Sequence, residues 1–417
     1  MNSILYADSE PLAVRALGAA LHRHRDRFRI VAADSGAAAL GLMEQEPFDI
    51  IMADIRLADM RGEQLLQAAR ERQPQAVRII LTGSPDQEQA MRTVKVAHQF
   101  LTKPCPPETI SAAILRCLRL RKVFLNEHTA RVIAAVDVLP ALPDIYLRLT
   151  HELAKEYPSI NAVAGLVGSD VSMTASLLKL VNSTFFGLYE RISSPKRAIA
   201  LLGMDIVKGV VLGMKLFQSF NMIRFKDFSL SQLQEHSTRC CFFARSIAEM
   251  EGLGPGDRDT AFLAGLLHDI GKLLLASSFT DKYLEVLQTS QRENIPLTNA
   301  ELDVLGYTHA EIGAYLLGLW GFSDDLVEAV YAHHDMSRSS EGLTPGVIVH
   351  AANSLDHELF IFHGDYALHP PDMFWLDRND LLARYKAWRL ACMEVADRDP
   401  ANLRRGMALA ATIEERA

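Results

Sequence analysis

The sequence predicts two domains of different class. The first is an α/β domain built on a doubly wound, five-stranded parallel sheet, and the second is a larger all-α domain. The chain has 417 residues, more than one compact core usually holds. In its first part, short apolar runs alternate with helix-period segments, whereas nothing from about residue 137 to 360 has the pattern of a strand.

The predicted strands are short and almost continuously apolar, which is typical of a parallel sheet covered by helices on both faces. They are Ile4–Ala7, Phe28–Ala32, Asp49–Ala53, Arg78–Leu81 and Gln99–Thr102. Helix-period segments such as Pro11–His24 and Gly62–Arg72 lie between them. Doubly wound sheets bind their ligands at the carboxyl ends of the strands, so we expect the functional residues of this domain there.

A long helix without Gly or Pro is predicted from about Glu108 to Val136, and Pro140 and Pro143 end it. We expect a further helical stretch at about Arg378–Ala396, after a Pro-containing segment. These features define the predicted domains. They are the α/β domain at 1–122, a connector formed by its extended last helix at 123–136, the all-α domain at 137–365, and a C-terminal helical extension and tail at 366–417.

Charge and composition exclude several classes of protein. The net charge of -8 argues against a general affinity for nucleic-acid phosphates, so we expect no direct DNA binding. The five cysteines form no CxxC pair, which favours reduced thiols in a cytoplasmic protein. The opening MNSILYADSE lacks the pattern of a signal peptide, and the apolar runs are shorter than the ~20 residues that cross a bilayer. We expect no membrane segment.

Polar side chains follow four of the predicted strands. Asp8 follows the first strand, Asp54 the third, Thr82 the fourth and Lys103 the fifth. These ends converge in a doubly wound sheet, so distant residues meet there. Paired carboxylates bind Mg²⁺, and an aspartate can accept a phosphoryl group when a metal and an ammonium offset its charge. The pattern therefore predicts a phosphoacceptor site.

Residues 1–122 resemble the receiver domain of two-component response regulators, which has a flavodoxin-like fold. The resemblance is carried by ILYADSE, DIIMADIRLADMRG, IILTG and FLTKP. It implies that Asp54 is the phosphoacceptor, that Asp8, Asp54 and the backbone carbonyl of Arg56 hold Mg²⁺, and that Lys103 contacts the phosphate. Thr82 and Phe100 would relay the change. A histidine kinase or phosphotransfer protein would be the partner. Ser9 stands where a second acidic residue is usual.

The helical domain contains LLHDIGK, with His268, Asp269 and Lys272. Adjacent His and Asp side chains can reach one ion, and mixed imidazole and carboxylate ligation suits Fe, Mn or Zn. The motif resembles the HD superfamily of metal-dependent phosphohydrolases, and the histidine order resembles the HD-GYP cyclic dinucleotide phosphodiesterases. The metal ligands implied are His236, His268, Asp269, His309, His333 and His334. Lys272 would face substrate phosphate.

A longer resemblance, over about residues 137–355, is to the HDOD family. It rests on LLKLVNSTFFG, ISSPKRAIALLG and HAEIGAYLLGLWGF. HDOD domains are helical relatives of HD enzymes that act as signalling or interaction modules. No GYP tripeptide follows His333-His334, and we assign the position of the usual late aspartate to Asn353, with Asp356 nearby.

Two functions remain open at this point. In the first, phosphorylation of Asp54 controls an HDOD domain that binds an unknown downstream signalling protein, through the last receiver helix or through formation of a homodimer. In the alternative, the helical domain is an active metal-dependent phosphohydrolase of a nucleotide or cyclic dinucleotide. A buried histidine is more often a hydrogen-bonded core residue than a ligand, so a structural role for His268-Asp269 also stays open.

Overall fold

The structure is a computed structural model. It describes residues 2–20, 28–82, 96–103, 105–124, 144–153, 155, 157–182, 192–219, 229–339, 342–360, 371 and 373–397. Its contacts divide the chain into two compact units. One comprises Met1–His151 with Tyr315–Phe322, and the other comprises Glu152–Ala314 with Ser323–Ala417.

The first unit contains a five-stranded sheet in the order β2-β1-β3-β4-β5, with every neighbouring pair parallel. The strands are β1 Asn2–Ala7, β2 Phe28–Ala33, β3 Ile50–Asp54, β4 Val77–Thr82 and β5 Gln99–Thr102. The helices are α1 Pro11–Ala20, α2 Gly36–Gln45, α3 Gly62–Arg72, α4 Pro107–Phe124 and α5 Asp144–Leu153. This is the flavodoxin-like order, so the predicted doubly wound fold is confirmed.

The apolar strands form the core of this unit because both faces of the sheet are covered. Ile4, Leu5, Ile50 and Ile51 are fully buried. In β3 only the final residue, Asp54, is partly exposed, so the apolar run ends where the sheet meets solvent. The predicted helix Pro11–His24 is described as far as Ala20, and the predicted long helix as far as Phe124. The remainder of both lies outside the described residues.

The predicted all-α class of the second domain is confirmed. Its helices are α6 Ile160–Gly168, α7 Val171–Val181, α8 Pro195–Leu202, α9 Met204–Ser219, α10 Leu230–Met250, α11 Pro255–Leu267, α12 Ile270–Ser278, α13 Thr280–Glu293, α14 Leu297–Leu305, α15 His309–Leu319, α16 Asp324–Ala332, α17 Pro345–Leu359, α18 Met373–Arg378 and α19 Leu382–Asp397. A short 3₁₀ helix, Met336–Arg338, precedes α17.

Glycines allow the central helices to approach closely. A Cβ atom on Gly265 of α11 would lie 2.8 Å from the Cα of Cys241 on α10. A Cβ on Gly271 of α12 would lie 1.9 Å from the carbonyl oxygen of His309 at the start of α15. Neither distance is compatible with a side chain, so both contacts require glycine. These approaches bring the polar residues of the four helices together.

One predicted element is divided in the structure. The stretch predicted as a helix over Arg378–Ala396 contains the end of α18, a turn and then α19. Asp380 in the turn has a φ of 57°, a left-handed conformation that a continuous α-helix does not contain. Trp388 of α19 is buried, and its Nε1 donates to Glu251 at 2.6 Å.

The stretch Pro255–Ser278 is long and apolar enough to cross a membrane when judged by length and composition alone. In the structure, 89% of its most apolar window is buried inside the protein. It consists of two helices, α11 and α12, separated at His268-Asp269. It is therefore the centre of the helical core.

Candidate functional site

The structure brings Asp8, Asp54 and Lys103 together at the carboxyl edge of the sheet. Lys103 Nζ donates to Asp8 Oδ2 at 2.8 Å and also to Asp54 Oδ2. The residues lie 95 and 49 positions apart in the chain. Parallel pairing brings them together because the strands that precede them end at one edge. One ammonium group thus joins both carboxylates.

The charges of this cluster stabilise one another. Burial alone would raise the pKa of Asp8, but hydrogen bonds from Lys103 and from the hydroxyl of Tyr6 (2.6 Å) lower it. Burial alone would lower the pKa of Lys103, but its bonds to Asp54 and Asp8 raise it. The side chain of Asp8 is only 3% exposed, whereas that of Asp54 is 13% exposed. Asp54 is therefore the more exposed of the two carboxylates.

The loop after β3 fixes the direction of the Asp54 side chain. Asp54 Oδ1 accepts a hydrogen bond from the backbone N–H of Arg56 at 2.7 Å. The turn is closed by Gly62 N–H to the carbonyl of Ile55 (3.0 Å) and by Leu57 N–H to that of Met60 (3.1 Å). Neither of these bonds uses the carbonyl of Arg56. This agrees with its predicted use as an oxygen ligand.

Ser9, which stands in place of a second acidic residue, forms a hydrogen bond to the loop after β3. Its Oγ accepts from the backbone N–H of Ala58 at 2.7 Å and so ties the end of β1 to the loop. Asp59 in the same loop accepts from Gly36 and Ala37 N–H at 2.7 and 2.8 Å, at the start of α2. The loop after β3 is therefore held at both ends by hydrogen bonds.

Two predicted relay residues are only partly described. Thr82 is the last residue of β4 and pairs with Thr102 of β5, so its backbone lies at the predicted edge. Its side chain lies outside the described residues. Phe100 of β5 is partly buried and packs against the core of the α/β domain.

The donor set at this edge suits Mg²⁺. Carboxylate and carbonyl oxygens are the ligands that this hard cation prefers, and Asp8, Asp54 and Arg56 supply them. The Lys103 ammonium offsets only one of the two carboxylate charges in this structure. The side chains therefore create a local negative charge that draws a cation.

In the helical domain, the predicted ligands come from helix ends and one helix interior. His236 lies within α10. His268 and Asp269 occupy the bend between α11 and α12. Asp269 stands at the N-cap of α12 without making the usual side-chain cap bond, so its carboxylate is left for other contacts. His309 begins α15, and His333-His334 directly follow α16.

Hydrogen bonds from the outward-facing Nδ1 atoms to backbone carbonyls orient two imidazole rings of this cluster. The Nδ1 atoms of His268 and His333 lie 2.8 and 2.6 Å from the carbonyl oxygens of Gly265 and Val330. A carbonyl oxygen only accepts hydrogen bonds, so each Nδ1 carries the hydrogen, and in the neutral ring Nε2 is then an unprotonated acceptor.

Carboxylates orient two further rings in the same manner. His236 Nδ1 lies 2.6 Å from Asp356 Oδ2, and His309 Nδ1 lies 2.8 Å from Glu301 Oε2. The Nε2 atoms of these rings therefore also face inward as acceptors. A carboxylate behind a histidine is the arrangement that orients metal-binding imidazoles in proteins.

The inward-facing nitrogens meet at short distances. His236 Nε2 lies 3.1 Å from His268 Nε2, and His309 Nε2 lies 3.3 Å from His333 Nε2. His334 Nε2 lies 3.1 Å from His309 Nε2. Neutral acceptor nitrogens repel one another at such distances, unless a proton or a metal ion lies between them.

Asp269 lies between the two groups of histidines. Its Oδ2 is 3.4 Å from His268 Nε2 and 3.6 Å from His236 Nε2. Its Oδ1 is 3.2 Å from His309 Nε2 and 3.7 Å from His333 Nε2. Oδ1 is buried and has no hydrogen-bond partner among the described residues, because acceptor nitrogens face it. One carboxylate thus serves both groups.

Burial and charge oppose each other throughout this cluster. Burial would raise the pKa of Asp269, but His268 and Lys272 hold it well below its usual range. Burial lowers the pKa of His236, and it holds that of His333 well below the usual value. Burial would also lower the pKa of His309, but the charge of Glu301 raises it. The cluster is therefore an anionic carboxylate among mostly neutral rings.

Lys272, predicted to face a substrate phosphate, contacts Asp269 in this structure. Its Nζ donates to Asp269 Oδ2 at 2.7 Å, one helical turn away on α12. The ammonium group is thus placed beside the predicted metal ligands.

Sequence reasoning missed Glu301 and gave the position of the late acidic residue to Asn353. The late acidic residue is Asp356 rather than Asn353, and it lies behind His236 while also accepting from Arg239 Nε at 2.5 Å and Nη2 at 2.9 Å. Glu301, fully buried, supports His309. Asp356 is 120 positions from His236, so no local pattern could pair them. Glu301 lies on the buried face of α14, next to Ala300, and an acidic residue on a buried face is the signal that could have identified it.

The residues present fit a transition metal. Imidazole nitrogens and a carboxylate are suitable ligands for Fe, Mn or Zn, and two groups satisfy the spacing of a ligand set. One is Asp269, His309, His333 and His334, and the other includes His236 and His268. The buried Oδ1 of Asp269 has no hydrogen-bond partner among the described residues, and a bound metal ion would satisfy it.

We expect Glu301→Gln to lower the affinity of this cluster for a divalent transition metal by about 10- to 100-fold, because the neutral amide no longer favours the Nδ1–H form of His309. Isothermal titration of metal-depleted protein with Zn²⁺ measures the change. Glu285→Gln, at an exposed position of α13, is the control and should bind as wild type does. Unchanged affinity in Glu301→Gln would show that Glu301 does not support metal binding by His309.

Comparison with known proteins agrees with this division. Residues 4–115 match the family model for the response regulator receiver domain, and residues 139–336 match the model for the HDOD domain. An HDOD domain protein of unknown function from Geobacter sulfurreducens has a similar structure, with a TM-score of 0.50 and 24% identity, covering 67% of this chain and 93% of that one. This likeness concerns the fold.

Two curated relatives match parts of the chain. An uncharacterized protein of Treponema pallidum is 25% identical over 239 residues, 56% of this chain and 45% of that protein. The hydrogenase transcriptional regulatory protein HoxA of Cupriavidus necator is 31% identical over 161 residues, 38% of this chain and 32% of that protein. The chain thus spans less than half the length of these relatives.

The sheet order, the acidic edge and the receiver match define a response regulator, the class of signalling protein in which a receiver domain is joined to an output domain. Its output domain is an HDOD domain. The predicted order of the two domains is confirmed.

Proposed function

We propose that this response regulator accepts a phosphoryl group on Asp54 from a histidine kinase or phosphotransfer protein, and that this modification controls its HDOD domain as a cytoplasmic signalling module. The observation that carries the proposal is the position of Lys103, whose ammonium contacts both Asp8 and Asp54. A carboxylate acts as a phosphoacceptor only where nearby positive charge offsets that of the incoming phosphoryl group.

The reaction uses the more exposed of the two carboxylates. An oxygen of Asp54 forms the new bond to phosphorus as the bond between phosphorus and the donor atom breaks, and the electron pair of that bond leaves with the donor. Lys103 offsets charge on the phosphoryl oxygens, while the Arg56 N–H holds the second oxygen of Asp54 in place. Asp8, Asp54 and the Arg56 carbonyl would hold Mg²⁺, which would add charge neutralisation when bound.

Phosphorylation changes the contacts of Lys103. The new phosphate carries about two negative charges and offers three acceptor oxygens, so it competes with Asp8 for the ammonium. We expect the hydroxyl of Thr82, the last residue of β4, to follow the phosphate, and Phe100 on the neighbouring strand to respond to that movement. The consequence is a changed receiver surface that the output domain or a downstream signalling protein reads.

Treatment with acetyl phosphate and Mg²⁺ tests this proposal. We expect the wild-type chain to gain one phosphoryl group in intact-protein mass spectrometry, and Asp54→Ala to gain none. Asp34→Ala is a matched control, because Asp34 is an exposed carboxylate that follows the neighbouring strand β2. Labelling of Asp54→Ala at the wild-type level would reject Asp54 as the acceptor.

A second candidate function for the HDOD domain is metal-dependent phosphoester hydrolysis. It is favoured by the convergence of five histidines on Asp269, a larger set than a structural core needs. A metal bound there would supply an activated hydroxide and polarise a phosphoryl oxygen. The chain's own part would be to orient that metal through Glu301 and Asp356, and to place the Lys272 ammonium near the substrate's charge.

Hydrolysis of bis(p-nitrophenyl) phosphate separates the two output roles. Release of p-nitrophenol that depends on added Mn²⁺ or Fe²⁺ and disappears in Asp269→Asn would establish the hydrolase. If metal-loaded wild-type protein hydrolyses neither this ester nor cyclic dinucleotides, the domain acts as a signalling module.

A further inference from the structure

Cys240 lies one helical turn after His236 on α10 and faces the same cluster. Its Sγ is 3.6 Å from Nδ1 and 3.7 Å from Nε2 of His236. The ligand atoms of His236, Cys240 and His268 all lie within 4.8 Å of one another, and the three residues are buried. The other contact of the thiol, to the carbonyl of Ala352, is long at 3.9 Å.

The distances in this group agree with those of a tetrahedral metal site. With metal–nitrogen bonds of about 2.0–2.1 Å and a metal–sulfur bond of about 2.3 Å, adjacent nitrogens lie about 3.4 Å apart, and nitrogen and sulfur about 3.6 Å apart. The observed separations are 3.1 Å between His236 Nε2 and His268 Nε2, and 3.7 Å between His236 Nε2 and Cys240 Sγ.

A second observation points to a ligand independently of the cysteine. Asp269 is 1% exposed, and its Oδ2 completes this group at 3.6 Å from His236 Nε2 and 3.4 Å from His268 Nε2. Its Oδ1 has no hydrogen-bond partner within the described part of the chain. The Nε2 atoms of His236 and His268 lie 3.1 Å apart, and the Nδ1 atom of each ring faces an oxygen acceptor on the other side. This donor set suits a central cation.

We propose that Cys240 is a metal ligand, and that His236, Cys240, His268 and Asp269 together hold a thiophilic divalent ion such as Zn²⁺ or Fe²⁺. This inference rests on the metal centre considered above and adds to it a sulfur ligand. The thiol gives up its proton to solvent as the metal–sulfur bond forms, with no change of oxidation state. A thiolate selects Zn²⁺ or Fe²⁺ over Mg²⁺, which prefers oxygen.

The proposal makes the two halves of the centre chemically different. The group of Asp269, His309, His333 and His334 offers only nitrogen and oxygen ligands. The group with Cys240 adds sulfur. Asp269 belongs to both, through Oδ1 on one side and Oδ2 on the other.

Cobalt spectroscopy of the full chain tests this assignment. We expect metal-depleted wild-type protein loaded with Co²⁺ to show visible ligand-field bands and a near-ultraviolet thiolate-to-cobalt charge-transfer band. Cys240→Ala should lose the near-ultraviolet band and keep bound cobalt. Cys241→Ala should keep both, because Cys241 is equally buried on α10 but its thiol donates to the Thr238 carbonyl at 3.0 Å.

The outcomes separate this inference from the metal centre on which it rests. If cobalt binds to wild type without the charge-transfer band, or if Cys240→Ala retains that band, Cys240 is not a ligand while the metal centre stands. If wild type binds no cobalt, both proposals fail. The wild-type spectrum decides the question even where Cys240→Ala does not fold.

Discussion

Asp269→Asn is expected to lower the transition-metal affinity of the HDOD domain by more than about 100-fold, beyond the 10- to 100-fold loss typical for groups that only support a ligand. Asp269 approaches four histidine nitrogens through its two oxygens, at 3.2 to 3.7 Å. The amide removes the negative charge and replaces one oxygen, so both groups of the cluster lose a ligand together.

Metal content by plasma mass spectrometry, after equal loading with Zn²⁺, measures this effect. Circular dichroism of the same samples shows whether the variant is folded. Asp281→Asn, at an exposed position in the first turn of α13, is the control and should retain wild-type metal content. Wild-type content in folded Asp269→Asn would mean that the histidines do not form a metal centre around this carboxylate.

Gly271→Ala should destabilise the helical domain by on the order of 3 kcal/mol, the upper range for overpacking a closed core. The added Cβ would lie 1.9 Å from the carbonyl oxygen of His309, and backbone cannot move aside as a flexible side chain can. Gly313 of α15 lies against Gly271 from the other helix, at 3.2 Å from its would-be Cβ to the Gly271 nitrogen. The helices must therefore separate, which moves His309 away from Asp269.

Denaturant unfolding followed by circular dichroism measures the loss of stability. Zn²⁺ titration measures the loss of metal affinity that we expect when His309 moves away from Asp269. The matched control is Gly165→Ala in α6, where an added Cβ meets no atom within 4 Å. There we expect a small gain, up to about 1 kcal/mol, from the better helix propensity of alanine. Equal stability of the two variants would contradict the close packing of α12 on α15.

The acidic edge of the sheet could be predicted from sequence because its geometry follows from a repeated local pattern. Each apolar run identifies a strand, and parallel strands end at one edge, so the residue after each strand is placed without any knowledge of packing. Asp8, Asp54 and Lys103 were found in this way. Ser9 was identified as a departure, but its bond to Ala58 depends on the path of a loop, which no periodicity encodes.

The cluster of histidines around Asp269 could be predicted only in part. The resemblance of the HDIGK region and its surrounding histidines supplied the six expected ligands, and the structure brings all of them together. Asn353 was assigned the place that Asp356 occupies, because these two residues are three positions apart on one face of α17 and sequence alone does not fix the rotation of that helix. Cys240 was interpreted only as a reduced, buried thiol.

The sequence by itself determined the class of each domain, the order of the domains and the set of residues at each strand end, because hydrophobic periodicity is a local property of the chain. Tertiary structure alone decided which carboxylate supports which histidine, that Lys272 contacts Asp269, and that a thiol lies beside His236 and His268. The physical reason is that these contacts depend on how closely α10, α11, α12 and α15 approach and on how each is rotated. Those quantities are set by the packing of the whole helical core.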